Sequence, residues 1–245
     1  MRVFGLIGFP LSHSFSKRFF AEKFLREGIA DTVYENFPLT DISLFPDLLK
    51  ANKALCGLNV TIPYKQDVIP FLDDYNEVVK GTGACNCIRI EAGETFGFNT
   101  DVAGFQQSLT PKLAPHHTRA LILGRGGAAR AVAYALTSMG IGFRYVVRKR
   151  LADDDALLYQ ELTSAIIKAH PLIINTTPIG MYPDIDAFPA IPYEFISSRH
   201  YLYDLIYNPE KTAFLEKGEK QGAAIQNGMP MLIIQAEESW KIWNS

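Results

Sequence analysis

At 245 residues, 48% of them hydrophobic, the chain can bury one large core or two smaller ones, which excludes a disordered protein. With 24 Lys and Arg against 26 Asp and Glu, the formal net charge of -2 gives no reason to expect nucleic acid or an anionic membrane as partner. Val3-Phe4-Gly5-Leu6-Ile7-Gly8 is a short apolar run closed by Pro10, so it reads as neither a signal peptide nor a spanning helix, and the odd number of cysteines points to a reduced cytoplasm.

Residues 2–8 read as a buried strand. The loop that follows carries Ser12, His13, Ser14 and Ser16 ahead of a helix through Phe19, Phe20, Phe24 and Leu25. One helix N-cap needs one hydroxyl. The surplus suits a polyhydroxylated ligand, because loops beyond strand ends of open α/β sheets bind ligands. Capping and binding both fit. Residues 33–38 read as a second strand and 42–50 as a helix. A third strand covers 57–65 and turns at Pro63. Period two puts Asn59 and Thr61 on one face and Val60 and Ile62 on the other. Lys65 lies just past the strand end, where a solvated lysine is the ordinary outcome.

A further strand begins in 81–90 and forms a hairpin through 91–94 with 95–98. Cys85 and Cys87 share one face without an adjacent His or a third nearby Cys to complete a zinc set, so they read as core thiols, with Asn86 facing the other way. Thr100 or Asp101 caps the helix that carries Phe105 and Leu109. Residues 111–117 read as a linker, with His116 and His117 in solvent.

Ala120-Leu121-Ile122-Leu123-Gly124-Arg125-Gly126-Gly127-Ala128-Ala129 reads as a buried strand, a glycine turn and a helix start with the pattern G-x-G-x-x-A. Gly124 permits the tight turn, Gly126 lets backbone N–H groups approach a pyrophosphate, and Ala129 lets the helix pack closely on the strand. The helix N-terminus favours phosphate. The next strand, 143–147, ends in Arg148-Lys149-Arg150. An NAD site would carry an acidic residue about 20 positions past the glycines. Basic groups there suit a 2′-phosphate instead. Asp153, Asp154 and Asp155 read as a turn or helix cap. A buried strand from Leu172 runs into the polar turn Asn175-Thr176-Thr177-Pro178, and a strand over 201–207 is closed by Asn208-Pro209. A helix around Phe214 and Leu215 precedes 223–228. The last helix, 231–243, carries Gln235 inside an apolar run, either as a satisfied amide or as a ligand contact.

Eight stretches in one order resemble the shikimate dehydrogenase family: G-F-P-L-S-H-S-F-S (8–16), N-V-T-I-P-Y-K (59–65), G-A-C-N-C (83–87), G-F-N-T-D-V-A-G (97–104), G-R-G-G-A-A (124–129), I-N-T-T-P-I-G-M (174–181), Y-D-L-I-Y-N-P (203–209) and N-G-M-P-M-L-I-I-Q-A (227–236). The resemblance implies a two-domain α/β fold. An open mixed α/β substrate domain would span 1–101 and be completed by the helix 229–245, and a Rossmann-type domain binding NADP would span 102–228. It implies Lys65 and Asp101 as the catalytic pair, Lys65 as proton donor and Asp101 to tune and orient it. It also implies Ser14, Ser16, Asn59, Thr61, Asn86, Tyr207 and Gln235 as substrate residues. Gly124, Arg125, Gly126, Gly127, Ala128, Arg148, Lys149, Thr176 and Gly228 would meet the cofactor, with no metal. The implied reaction is NADP-dependent interconversion of shikimate and 3-dehydroshikimate by a cytoplasmic monomer or homodimer. A dehydrogenase that also accepts quinate and a non-catalytic sensor of such ligands are the rival readings. Arg125 stands where the family turn usually has alanine, Val147-Arg148-Lys149 where Asn-Arg-Thr is usual, and Cys87 where threonine is common.

Overall fold

The computed structural model describes residues 1–11, 15–151 and 155–245. The chain divides into two compact units, Met1–Thr100 with Ala236–Ser245, and Asp101–Gln235.

The first unit runs β1 (Arg2–Gly8), α1 (Phe15–Arg26), β2 (Thr32–Pro38), α2 (Phe45–Ala51), β3 (Leu55–Val60), β4 (Asp74–Tyr75), α3 (Glu77–Thr82), β5 (Cys87–Glu91) and β6 (Glu94–Phe98). Its sheet has the order β2-β1-β3-β5-β6-β4. β1 lies parallel to β2 and β3, whereas β5 is antiparallel to both β3 and β6, so the sheet is mixed. The β5–β6 hairpin turns at Ala92 and Gly93, whose φ values of 52° and 90° are the left-handed pair that a two-residue hairpin turn needs.

Two sequence expectations shift here and a third holds. Residues 81–86 do not open a strand. Thr82 ends α3, which starts where Asn76 Oδ1 accepts the Val79 N–H at 3.0 Å and stops at Gly83 with φ 61°. β3 ends at Val60 rather than running to Lys65, because the Tyr64 N–H turns back onto the Thr61 carbonyl at 3.0 Å. Cys85 and Cys87 are fully buried, as core thiols should be.

α4 (Thr100–Leu109) opens the second unit. It continues with β7 (Arg119–Leu123), α5 (Gly127–Ser138), β8 (Gly142–Val147), β9 (Leu157–Leu158), α6 (Ser164–Ala169), β10 (Leu172–Asn175), β11 (Tyr201–Asp204), α7 (Ala213–Lys220) and β12 (Ala224–Gln226). All its strands are parallel, in the order β12-β11-β10-β7-β8-β9. Counted from β7 this is 3-2-1-4-5-6, the dinucleotide-binding order. Leu121, Ile122, Leu123, Ile173 and Ile174 have no exposed surface, as strands covered on both faces require.

The segment read as a linker is not solvated throughout. His117 is buried, its Nδ1 accepts the Ala114 N–H at 2.9 Å, and both His116 and His117 place Nε2 within 3.2 Å of the Arg199 carbonyl. Burial, with His116 alongside, lowers the His117 pKa. β11 stops at Asp204 instead of Tyr207, because the Asp204 carboxylate takes the Ile206 N–H at 3.1 Å and turns the chain.

The last helix, α8 (Met229–Trp243), is divided at Gln235 and Ala236 between the two units. Its later half completes the first unit. Trp243 stacks on Phe4 at 4.8 Å and its indole N–H donates to the Ile88 carbonyl at 3.0 Å. The buried Lys23 ammonium pairs with Glu27 at 2.9 Å and Glu237 at 2.7 Å.

Candidate functional site

In the second unit the site begins at the carboxyl end of β7. Gly124 has φ 102°, and a Cβ there would lie 2.9 Å from Thr177 Cγ2 and 3.0 Å from Thr176 Oγ1. Both conformation and space demand glycine. A Cβ on Gly126 or Gly127 would meet nothing within 4 Å, so the N-terminus of α5 opens onto free space. Ala129 is fully buried behind it. A cavity of about 500 Å³ lies here, lined by Gly124, Arg125, Gly126, Arg148, Lys149, Tyr159, Thr176 and Thr177 among others. It sits where the strand order reverses between β7 and β10, the place at which such sheets bind ligands.

Six of the residues implied for the cofactor therefore meet at one cavity, and Gly127 and Ala128 follow on the helix start. The Arg125 guanidinium rests 5.1 Å from the centre of the Tyr145 ring. Arg148 and Lys149 are exposed at the end of β8 and form no ion pair with a described residue. Arg150, the third base, turns back into the protein: its Nε donates to the Ala156 carbonyl at 2.7 Å and its guanidinium pairs with Glu161. Asp155 gives its main-chain carbonyl to Arg144, at 2.7 Å, while Asp153 and Asp154 lie outside the described residues. Thr176 donates its hydroxyl to the Leu123 carbonyl at 2.6 Å, tying the rim of the cavity to β7. Gly228 does not line this cavity. It is a close-packing glycine, whose added Cβ would collide with the Leu205 carbonyl.

Tyr207 lines a second cavity of the same unit, about 590 Å³, with Glu210, Asn227, Met229, Pro230, Ile233 and Ile234. Gln235 donates to the Leu232 carbonyl at 2.9 Å and packs where Gly104 of α4 lets α8 approach. Asp101 lies in the first turn of α4.

In the first unit, Ser16 lies in the first turn of α1, and Ser14 lies outside the described residues. Asn59 is buried at the end of β3, and Thr61 follows half-buried. The half-buried Lys65 stands on a pinned turn. Its carbonyl accepts the Cys85 N–H at 2.7 Å, and the preceding Tyr64 hydroxyl donates to the Leu39 carbonyl at 2.7 Å. Asn86 is buried and caps the start of α4: Oδ1 accepts the Thr100 N–H at 2.6 Å and Nδ2 donates to Thr100 Oγ1 at 3.0 Å.

Sequence reasoning missed two polar groups here. Tyr34 Oη donates to Asn59 Oδ1 at 2.9 Å, and Ser239 Oγ accepts from Asn59 Nδ2 at 2.9 Å. A signal for Ser239 existed: Gln235, Ser239 and Trp243 recur every four residues along one face of the last helix. Among the described residues no group of three His, Cys, Asp or Glu could hold a metal, and no helix is long and apolar enough to cross a membrane.

A six-stranded parallel sheet in this order, with a glycine turn and a basic rim at its switch point, defines a dinucleotide-binding α/β protein carrying a second, mixed-sheet unit. The family model described as the shikimate dehydrogenase substrate binding domain matches residues 6–88. An NADP(+) shikimate dehydrogenase of Caldicellulosiruptor bescii is 35% identical over 260 aligned residues, covering 99% of this chain and 89% of the relative. The chain belongs to the shikimate dehydrogenase family. Among solved structures, shikimate 5-dehydrogenase of Thermus thermophilus in complex with NADP(H) and shikimate superposes with a TM-score of 0.83 at 30% identity, covering 99% of this chain and 93% of that one. Quinate dehydrogenase of Corynebacterium glutamicum in complex with NAD superposes at 0.86 and 29% identity, covering 99% and 93%.

Proposed function

We propose that the protein is an NADP-dependent shikimate dehydrogenase, which reduces 3-dehydroshikimate to shikimate and runs in reverse, in the route to chorismate and the aromatic amino acids. Family membership along the whole chain carries this reading. Residues 1–101 with 229–245 form the substrate domain in this proposal, and 102–228 the nucleotide domain.

The second unit fits the cofactor. Open space at Gly126 and Gly127 admits a pyrophosphate to the α5 N-terminus, and Arg148 with Lys149 offers charge to a 2′-phosphate. NADPH, when bound, supplies the hydride that reaches the ketone carbon. Lys65 gives its proton to the ketone oxygen as that bond becomes a hydroxyl, and takes it back in the oxidative direction. Asp101 acts with Lys65 as a unit. Ser14 and Ser16 each donate a hydroxyl hydrogen to the substrate carboxylate. Asn59, Thr61, Asn86, Tyr207 and Gln235 meet the rest of the substrate, and Thr176 completes the cofactor side. The proposed setting is a reduced cytoplasm, with which three free thiols accord, and the proposed state is a monomer or homodimer.

The test is a steady-state assay of purified protein with shikimate or quinate as alcohol and NADP or NAD as oxidant, read by nicotinamide absorbance. The expected result is efficient turnover of shikimate with NADP. Preference for quinate with NAD would move the protein to the rival specificity, and no turnover with any pair would leave a binding protein.

A further inference from the structure

The Asn59 carboxamide is held from three sides. Tyr34 Oη donates to Oδ1 at 2.9 Å, while Nδ2 donates to Ser239 Oγ at 2.9 Å and to the Asn86 carbonyl at 3.2 Å. The carbonyl can only accept, so it fixes which end of the amide is nitrogen. Ser239 Oγ is also 3.3 Å from Thr100 Oγ1, which is bonded to Asn86. Asn59 and Asn86 are thus joined through Ser239 and Thr100, and Tyr34 holds the other end of the Asn59 amide. Tyr34 is 5% exposed and Ser239 fully buried. In such a dry setting each bond has high stakes. Burial pushes the Tyr34 phenol far up from its ordinary pKa, so the hydroxyl keeps its hydrogen across the working range.

We propose that Tyr34 and Ser239 are positioning residues for the substrate: together they hold the Asn59 carboxamide with a single Oδ1 lone pair left for a ligand hydroxyl. This rests on the reading of Asn59 as a substrate residue. Both amide hydrogens are already used, so whatever meets Asn59 must donate to it. Packing alone would need neither hydroxyl. A phenylalanine at 34 would keep the stack on Phe20, whose ring centre is 4.5 Å away.

Tyr34→Phe and Ser239→Ala are made singly, and each is combined with Asn59→Ala. All are assayed with shikimate and NADP, and melting is followed by circular dichroism. Each single variant is expected to raise the shikimate KM about three- to tenfold, the scale of one neutral hydrogen bond. The NADP KM and kcat change by less than about twofold, as loss of uniform substrate binding predicts. On the Asn59→Ala background neither substitution adds anything, because the group they hold is gone. Ser239→Cys, which keeps the volume, replaces Ser239→Ala if that variant melts below the assay temperature. Additive losses on the Asn59→Ala background, or equal rises in both KM values, overturn the proposal in favour of a packing role. Unchanged shikimate KM in both single variants also overturns it. A shikimate KM untouched by Asn59→Ala itself overturns the reading of Asn59 and this inference with it, while wild-type turnover tests the dehydrogenase reading separately.

Discussion

The indole of Trp243 occupies the space that a side chain on Gly57 would need. Gly57 lies within β3, paired with Phe4 on one side and Arg89 on the other, so the strand has no freedom to retreat. Gly57→Ala therefore overpacks the first unit and is expected to lower stability by about 1–3 kcal/mol. Urea unfolding followed by tryptophan fluorescence measures this. A loss under about 0.5 kcal/mol, the range of ordinary surface substitutions, would show that the indole has room to shift.

Asp204 is fully buried, and burial pushes its carboxyl up to about 6. Three donors oppose that shift: Thr212 Oγ1 at 2.6 Å, Asn175 Nδ2 at 3.0 Å and the Ile206 N–H at 3.1 Å. The unfolded chain gives up this proton near pH ~3.9. Between about pH 4 and 6 the native state holds more protons than the unfolded one, so stability falls as pH rises through that window, by up to about 3 kcal/mol, and is level above it. Asp204→Asn is expected to remove this slope. Denaturant unfolding of both proteins at several pH values tests it, and identical pH dependence would return the carboxyl to its ordinary range.

Arg148 and Arg150 are predicted to separate. Arg148→Ala removes a charged hydrogen bond of roughly 1.5–3 kcal/mol and weakens NADP by about tenfold or more, with NAD nearly unaffected. Arg150→Ala breaks the pair with Glu161 and the bond to the Ala156 carbonyl, costs a little stability, and leaves NADP affinity in place. Calorimetric titration with both cofactors distinguishes the two. Equal losses of NADP and NAD in Arg148→Ala would remove its assignment.

Lys65→Met keeps much of the stem and loses the titrating group. Turnover is expected to fall at least about 100-fold, within the span of general acid–base catalysis, while shikimate and NADP affinity change far less. Adding Asp101→Asn is expected to cost little more, since the two act as a unit. Near-normal turnover of Lys65→Met at saturating shikimate would place the proton donor elsewhere.

The parallel sheet was legible in the sequence because its strands are apolar on both faces and Gly124, Gly126 and Ala129 punctuate them in a recognisable rhythm. Helix α3 escaped because six residues span fewer than two turns and show no periodicity, although Asn76 and Gly83 mark both its ends. Arg148, Lys149 and Arg150 read alike as a basic run. Glu161, folded back beside β8, and the Ala156 carbonyl turn Arg150 to structural use. His117 likewise reads as a polar linker residue until the Arg199 carbonyl arrives above it. Ser239 stands 180 positions from Asn59, and no local pattern announces that pairing.

The dependence of the first unit on residues 236–245 sets a timetable for synthesis. Residues 101–235, 135 in all, are translated between the two pieces of that unit. At about 5–20 residues per second the interval is roughly 7–27 s. Throughout it the emerging sheet lacks Trp240 and Trp243 over Phe4, Phe20 and Phe24, and Asn59 lacks Ser239. The ribosome thus exposes an uncovered aromatic face for the time needed to make the entire nucleotide-binding unit, which makes nascent chains clients for chaperones that recognise apolar surface. Chains arrested before and after 236–245 clear the exit tunnel will differ in the protease resistance of the first unit, and equal resistance would mean that the sheet is finished without its last helix.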